Sequence, residues 1–395
     1  MRKSIFAAAS VLAIAITAPA VAQNNQSTIA QSGSTQTATV EQTGASAIAN
    51  IVQSDALNTA TIRQSDNAGG DADVEQTGLD NDATVTQYSA GSEADVVQTG
   101  DFNSATLTQG RLTSTPTTDQ QALLVQEGER NTILATQSGA STDLNILQGG
   151  DRNDATVIQS SSSNASGDTD GMPALVGINQ SGDDNDAFLT QSGQMSDAFI
   201  TQVGDFNVAT INQSVGNQPN PSGNNDPRVA TATISQVGDR NRSTITQSGG
   251  NATTSARLME ATSEQDGDRN ISTITQTNNL VPAASSGNTA TVKQGGPMNT
   301  SGVSQNGELL VAEITQNGDN GTSTLSQSGT DSLATLTQTG TTQIANVTQS
   351  GDDNISTILQ AGGTNTATVM QTSDGNRSYI DQSGTGNIAS VTQGN

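Results

Sequence analysis

Polar and apolar residues alternate along this chain, and a glutamine resets the alternation at a near-constant interval. Thirty such glutamines run from Gln31 and Gln42 to Gln382 and Gln393, and twenty-three of the twenty-nine intervals between them are eleven residues. Two residues before the glutamine stands Val, Ile or Leu in twenty-eight units, with Ala135 and Ser263 as the exceptions. Four before it stands Ala in twenty units and Ser in seven, and Ile133, Leu144 and Val176 are the larger aliphatics. Six before it stands Asn in sixteen units. These positions have one parity, so on a β-strand they share one face. The other parity is mostly Thr, Ser, Asp, Glu and Asn, as in Thr84 and Thr86 or Thr106 and Thr108, and is expected to face water. Period-two alternation with β-branched residues on both faces predicts strands rather than helices.

Two residues after the glutamine stands Gly in twenty-one units, for example Gly100, Gly204 and Gly362, often followed by Asp. Gly accepts a positive φ and Asp bonds nearby backbone, which predicts a turn. Each unit is then roughly seven residues of strand and four of turn. The prolines agree. Pro116, Pro173, Pro219, Pro221, Pro227 and Pro282 fall in interruptions of the repeat, and Pro297 falls in a turn. None lies in a strand, where it would delete a ladder hydrogen bond.

One strand and one turn reverse the chain, so two units return it to its start. The Asn position supports a true period of twenty-two, because Asn58, Asn81 and Asn103 alternate with Gly70 and Ser92. The expected fold is all-β: a β-solenoid of stacked strand-turn-strand rungs, amyloid-like and cross-β. Thirty units give fifteen rungs, about 70 Å of stack at the usual strand spacing. The interior is thin, and Ala and Val bury little area. Backbone bonds and stacked amides must supply much of the cohesion, each buried amide pairing with its copies above and below. The residues expected to form this ladder include Gln98, Asn103, Ala105, Leu107 and Gln109, then Gln202, Asn207 and Gln213, and finally Gln360, Asn365 and Gln371.

The register breaks in six places. One extra residue enters between Gln64 and Gln76, readable as a bulge or a longer turn. Larger insertions lie near 110–119, 160–173, 214–229, 248–258 and 277–287. Rich in Pro, Gly, Ser and Asn, they read as surface loops or as joints between sub-stacks.

Residues 1–22 differ in kind. Arg2 and Lys3 precede an apolar run from Ile5 to Ile16, and Ala20-Val21-Ala22 offers a small-residue cleavage site. This predicts a secretory signal peptide, the run being too short to span a bilayer, followed by a repeat region over 23–395.

Composition then narrows the function. Low hydrophobicity with a net charge of −25 points towards disorder, but fixed aliphatic positions are what a disordered chain has no reason to keep. With no Cys and no His, disulfides and Cys or His metal sites are excluded. The acidic balance argues against nucleic acid as a partner. With mature Lys limited to Lys293, a nucleophile–base pair would have to come from scattered carboxylates, so neither an enzyme nor a cofactor is expected. The turn aspartates do not have the spacing of the nine-residue calcium repeat, and in Asp151-Arg152, Asp239-Arg240 and Asp268-Arg269 they stand beside Arg in exposed, weak pairs.

A solenoid that stays monomeric caps its terminal rungs. Here the first repeat strand, Asn25 to Gln31, and the last, Asn387 to Gln393, both match the repeat and look fit to pair. End-to-end self-assembly into a fibre is the physical expectation. Outward acids such as Asp73, Glu75, Asp95 and Glu264 would then limit lateral sticking.

The string Gln-x-Gly-x-x-Asn-x-Ala-x-x-x-Gln is similar to the repeat of the curlin family. It occurs intact from Gln98 through Gly100, Asn103 and Ala105 to Gln109. It recurs from Gln202 through Gly204 and Asn207 to Gln213, and from Gln360 through Gly362 and Asn365 to Gln371. The family's partner half, Ser-x5-Gln, appears as Ser92 to Gln98, Ser196 to Gln202 and Ser332 to Gln338. The resemblance implies a subunit of curli amyloid fibres, exported by a Gram-negative bacterium through an outer-membrane pore. It implies polymerisation from a nucleator subunit at the cell surface, and a role in biofilm matrix and adhesion to surfaces or host proteins. The pore-targeting segment that curlins carry after the signal peptide is nearly absent, and the rungs are more numerous. Two readings compete: a non-polymerising cell-surface adhesin, which the insertions suit, and an ice-binding solenoid. The second would use Thr-x-Thr as a flat hydroxyl array, but Glu41, Glu75, Lys293, Glu313 and Asp381 interrupt that array.

Overall fold

The computed structural model describes residues 24–65, 69–110, 119–140, 142–160, 174–193, 196–215, 230–249, 259–278 and 287–394. The predicted signal peptide and most of each larger insertion lie outside the described residues. The chain divides into two compact units, Met1–Gln159 and Ser160–Asn395. Each is built in the same way, and no helix occurs among the described residues.

In the first unit, β1 (Gln26–Ser34), β3 (Ile48–Ala56), β5 (Asp71–Leu79), β7 (Glu93–Thr99), β9 (Gln121–Glu127) and β11 (Thr142–Gly149) make one parallel sheet. The intervening strands, from β2 (Thr37–Gln42) to β12 (Asp154–Gln159), make the other. Consecutive strands therefore lie in different sheets, and each bonds to the strand two places along. That is the expected rung: one odd strand, a turn, one even strand, a turn. In the second unit the odd strands run from β13 (Ala174–Ser181) to β29 (Arg377–Thr385), and the even strands from β14 (Asp186–Gly193) to β30 (Ile388–Gln393). All the pairings are parallel and in register, glutamine on glutamine, as in Gln76↔Gln98 and Gln349↔Gln371. The fold is a β-solenoid.

The register decides the first open reading. Residues of β3 and β5 pair one for one from Ile48↔Asp71 to Ala56↔Leu79. The extra residue between Gln64 and Gln76 therefore sits in the turn, and no bulge forms. Insertions 110–119, 214–229, 248–258 and 277–287 leave the ladder equally undisturbed: Gln109 still pairs with Gln137, and Gln213 with Gln247 across thirty-four residues.

The core follows the sequence pattern. Ala105, Leu107, Ala209, Ile211 and Ala367 are buried between the sheets, as are Gln98, Gln109, Gln202, Gln213 and Gln371. The exceptions are compensated. Ala135 is small where a large aliphatic is the rule, but its neighbour Ile133 is large where Ala is the rule, so the strand conserves volume. Ser263 accepts a hydrogen bond from Ser243 at 2.8 Å across the interior, which satisfies a hydroxyl that an aliphatic neighbour would leave unpaired.

Candidate functional site

The chemistry of this chain lies in columns of identical groups, one per rung. The glutamine column is the most regular. Gln98 donates Nε2 to Gln126 Oε1 at 2.8 Å and accepts at its own Oε1 from Gln76 Nε2 at 2.7 Å. Its second Nε2 proton goes across the rung to the Asp82 carbonyl at 3.0 Å. Gln109 bonds Gln137, Gln202 bonds Gln236, Gln213 bonds Gln247, Gln360 bonds Gln382 and Gln371 bonds Gln393, at 2.8 to 3.0 Å. The bonds have one direction: each Nε2 donates towards the C-terminal neighbour and each Oε1 accepts from the N-terminal one. Each buried amide thus spends two donors and an acceptor, which is what allows it to be buried.

The asparagine column works differently from the expected amide-on-amide stack. Asn103 donates Nδ2 to the Gly128 carbonyl at 2.8 Å, and its Oδ1 accepts the backbone N–H of Asn131 at 2.9 Å. Asn207 grips Gly238 and Asn241 in the same way. Asn365 bonds the Gly384 carbonyl at 3.1 Å and the Asn387 N–H at 2.9 Å. The side chain is one methylene shorter than Gln and sits at the end of the strand, where turn backbone, not a second amide, comes within reach. Each Asn therefore clamps the next rung's turn.

The turn glycines are held by stacking as well as by φ. Gly100, Gly204 and Gly362 have φ of 106°, 110° and 95°. A Cβ on any of them would lie 2.1, 2.4 or 2.1 Å from the carbonyl oxygen of the equivalent glycine one rung on. A second left-handed position was not anticipated. The residue just before the asparagine also has positive φ although it is rarely glycine: Phe102, Arg130 and Arg152 in the first unit, and Phe206, Arg240 and Arg269 in the second. The sequence signal is the constant spacing of this residue from the recurring turn glycine, since its chemical type varies. Stacking brings Arg130 over Phe102 at 5.2 Å and Arg240 over Phe206 at 5.0 Å, both pairs on the turn surface. The turn aspartates reach back to the preceding rung: Asp205 Oδ1 accepts the Asp183 N–H at 2.9 Å, and Asp239 Oδ1 accepts the Asp205 N–H at 3.0 Å.

Outward carboxylates crowd one place on the first unit. Asp73 pairs with Asp95, Asp71 with Glu93, and Glu75 lies on the same face. Burial, then the neighbouring acids, push Asp71 and Asp95 above the ordinary carboxylate range. Elsewhere opposite charges face each other on neighbouring rungs, Glu41 with Arg63 at 3.1 Å and Glu264 with Lys293 at 2.9 Å. Among the described residues no group of three or more acidic, His or Cys side chains is placed to hold a metal ion.

The residues expected at the ends lie on half-exposed rungs. Asn25 donates to the Gly44 carbonyl at 3.0 Å, and its Oδ1 accepts the Ala47 N–H. Gln31 donates to Gln53 at 2.7 Å, and among the described residues no donor reaches its Oε1. At the other end Gln393 donates Nε2 to the Arg377 carbonyl, and Asn387 turns back to Ser383 and Asn365. Val391 and Gln393 are half-buried, whereas their counterparts one rung back, Val369 and Gln371, are fully buried.

The family model for the curlin associated repeat matches residues 150–193, 311–340, 344–372 and 364–394. No curated protein matches the chain. The fold and this repeat point to a structural protein. The matched segments carry the curlin associated repeat, and the same phased glutamines, asparagines and turn glycines recur through the other described residues.

Proposed function

We propose that this chain is a secreted fibre subunit that self-assembles end to end, the first rung of one copy docking on the last rung of another. The direction of the glutamine ladder is the observation that carries the reading. On the first rung Gln31 and Gln42 offer Oε1 acceptors that no donor reaches among the described residues, and on the last rung Gln382 and Gln393 each retain an Nε2 proton. Stacking the first rung on the last continues the odd column from Gln382 to Gln31 and the even column from Gln393 to Gln42, the same bonds that link Gln360 to Gln382 and Gln371 to Gln393. The outer strands add unpaired backbone of matching parallel register, the template on which edge strands grow. The curlin associated repeat in the matched segments supports curli-like amyloid on the surface of a Gram-negative cell, with biofilm matrix and adhesion as its use. A nucleator subunit and an outer-membrane export pore are the partners that this role calls for, and cleavage of the predicted 1–22 signal peptide comes first.

The test is seeded growth of the purified mature chain followed with an amyloid dye. A sigmoidal rise whose lag is abolished by preformed seeds is expected. Gln31→Ala and Gln393→Ala are expected to slow seeding more than Gln202→Ala. A chain that remains monodisperse at high concentration, with or without seeds, overturns the proposal.

A further inference from the structure

The two sheets of the second unit differ in a way that the repeat does not require. On the odd sheet, outward positions of β19 (Met259–Asp266), β21 (Thr289–Gly295), β23 (Val311–Gln316) and β29 carry Glu260, Glu264, Lys293, Glu313, Arg377 and Asp381. Directly behind them stand the even strands β20 (Ile271–Asn278), β22 (Thr300–Glu308), β24 (Thr322–Thr330), β26 (Ile344–Ser350), β28 (Thr366–Gln371) and β30. Their outward side chains, from five residues before each glutamine to one after it, include no charge at all. They are Thr and Ser for the most part. Ile271, Ile344, Met370 and Ile388 lie among them, and each is at least 40% exposed. Charge returns at the rim, at Glu308 on the end of β22 and at Asp331, Asp352 and Asp374 in the turns. A neutral centre ringed by charge is how a specific interface is laid out.

Two observations say what covers this face. A chain of net charge −25 repels its own copies. Over these rungs the even face is the side on which two copies meet without bringing carboxylates together. The face is also ruled into columns one rung apart, so a second copy has the same repeat and its ridges fit the grooves of the first, as in paired cross-β sheets. Six strands at the usual spacing, each contributing about 20 Å of length, give on the order of 600 Å² per copy. A pair would bury about 1,200 Å², the lower edge of specific interfaces.

We infer that the outer face of the even sheet, over β20 to β30, is a lateral pairing surface for the same face of a second copy. Two stacks then lie face to face while the charged odd sheets point outward. This pairing is independent of end-to-end growth, and the experiment reads the two separately.

Mass per unit length of fibres, measured by dark-field electron microscopy, gives the number of stacks. Sedimentation equilibrium of the soluble mature chain gives the same answer if no fibres form. The wild type is expected to show two stacks, or a dimer. Thr324→Asp with Thr348→Asp places like charges at the centre of the face and is expected to halve the mass per length, leaving seeded elongation unchanged. Thr335→Asp with Thr357→Asp on the odd sheet is the control and leaves the mass unchanged. Mixing the Asp variant with the corresponding Thr324→Lys, Thr348→Lys variant is expected to restore pairing, which a merely misfolded variant would not do. A single stack or a monomer for the wild type overturns the inference, as does a variant that still pairs. Freezing-point hysteresis or capture on an insoluble neutral polysaccharide by an unpaired wild type would assign the face to another surface, and would equally overturn it.

Discussion

Gln202 donates its side-chain Nε2 to Gln236 Oε1 at 3.0 Å although thirty-four residues of chain separate them. The insertion between them changes neither the length of the bond nor its direction. Gln180 in turn donates to Gln202 at 2.9 Å. Gln202→Ala therefore strands a buried donor on one side and a buried acceptor on the other, and leaves a cavity. We expect a loss of about 2–4 kcal/mol in urea unfolding of the mature chain. Gln202→Glu is expected to cost at least as much at neutral pH, since a buried carboxylate cannot donate to Gln236. A loss below about 0.5 kcal/mol for the Ala variant would show that the amide column is ornamental to stability.

Two glycines with opposite environments make a paired test. Gly204 has φ of 110°, and a Cβ there would lie 2.4 Å from the Gly238 carbonyl oxygen. Gly302 sits in strand β22 with nothing within 4 Å of a Cβ. Gly204→Ala is expected to cost about 2–4 kcal/mol through backbone strain and displaced turn stacking. Gly302→Ala is expected to be neutral, or to stabilise by up to about 1 kcal/mol by removing unfolded-state entropy. Thermal melts of both variants beside the wild type decide the matter, and equal effects would contradict the stacked-turn geometry.

Most of the fold was legible in the sequence because the repeat encodes it redundantly. The parity of Ala105, Leu107 and Gln109 gives the buried face, and the interval between glutamines gives the register. Where a signal had two physical readings, structure was needed. The extra residue before Gln76 was equally a bulge or a longer turn, and only the one-for-one pairing of β3 with β5 separates them. Asn103 was legible as a buried amide but not as a clamp on backbone, because its partner, the Gly128 carbonyl, is fixed by turn geometry rather than by residue type. The left-handed backbone of Phe102 and Arg130 was invisible for a related reason: side chains there vary freely, so composition carries no mark of the strain. The charges of Glu313 and Asp381 interrupted the hydroxyl pattern in sequence. In the structure they both lie on the odd sheet, and the even face behind them is neutral.

Serine replaces alanine at the small core position in several rungs, and not every replacement finds a partner. Ser243 bonds Ser263, but the buried hydroxyls of Ser272 and Ser301 on neighbouring rungs meet no hydrogen-bond partner. Alanine is the commoner residue at this position and fits the same space. Ser272→Ala and Ser301→Ala are each expected to stabilise the chain by about 1 kcal/mol. Ser243→Ala is expected to destabilise it by a similar amount, because Ser263 is left alone. A denaturant series on the three variants tests the sign, and destabilisation by all three would mean that the hydroxyls of Ser272 and Ser301 are satisfied in solution.

The acidic face of β5 and β7 sets the response to pH. Asp71 is raised above its ordinary 3.8 by burial, then by Asp73 and Glu93; Asp95 is raised by burial, then by Asp73 and Glu75. Asp82 is raised by burial and Asp80, and Asp143 and Asp154 by burial. A folded-state value above the unfolded one means that the folded chain holds the proton more tightly. These groups therefore weaken the fold at neutral pH, and the penalty is relieved as pH falls through the folded values and is gone below about 3.8. Neighbouring strands offer little relief: β3 presents Ile48, Asn50 and Val52 to this face, with Asn50 donating to Asp73 at 2.7 Å, and β9 presents Gln121, Leu123 and Val125. The chain is thus expected to melt at a higher temperature near pH 4 than at pH 7, the reverse of ordinary acid denaturation. Asp71→Asn with Asp95→Asn removes part of the penalty, so the double variant should gain stability at pH 7, gain nothing near pH 3, and show a flatter slope between. Melting curves across that range decide it. A wild type that loses stability steadily on acidification, with the double variant tracking it in parallel, would place the carboxylates of this face in contact with groups that favour their charged form.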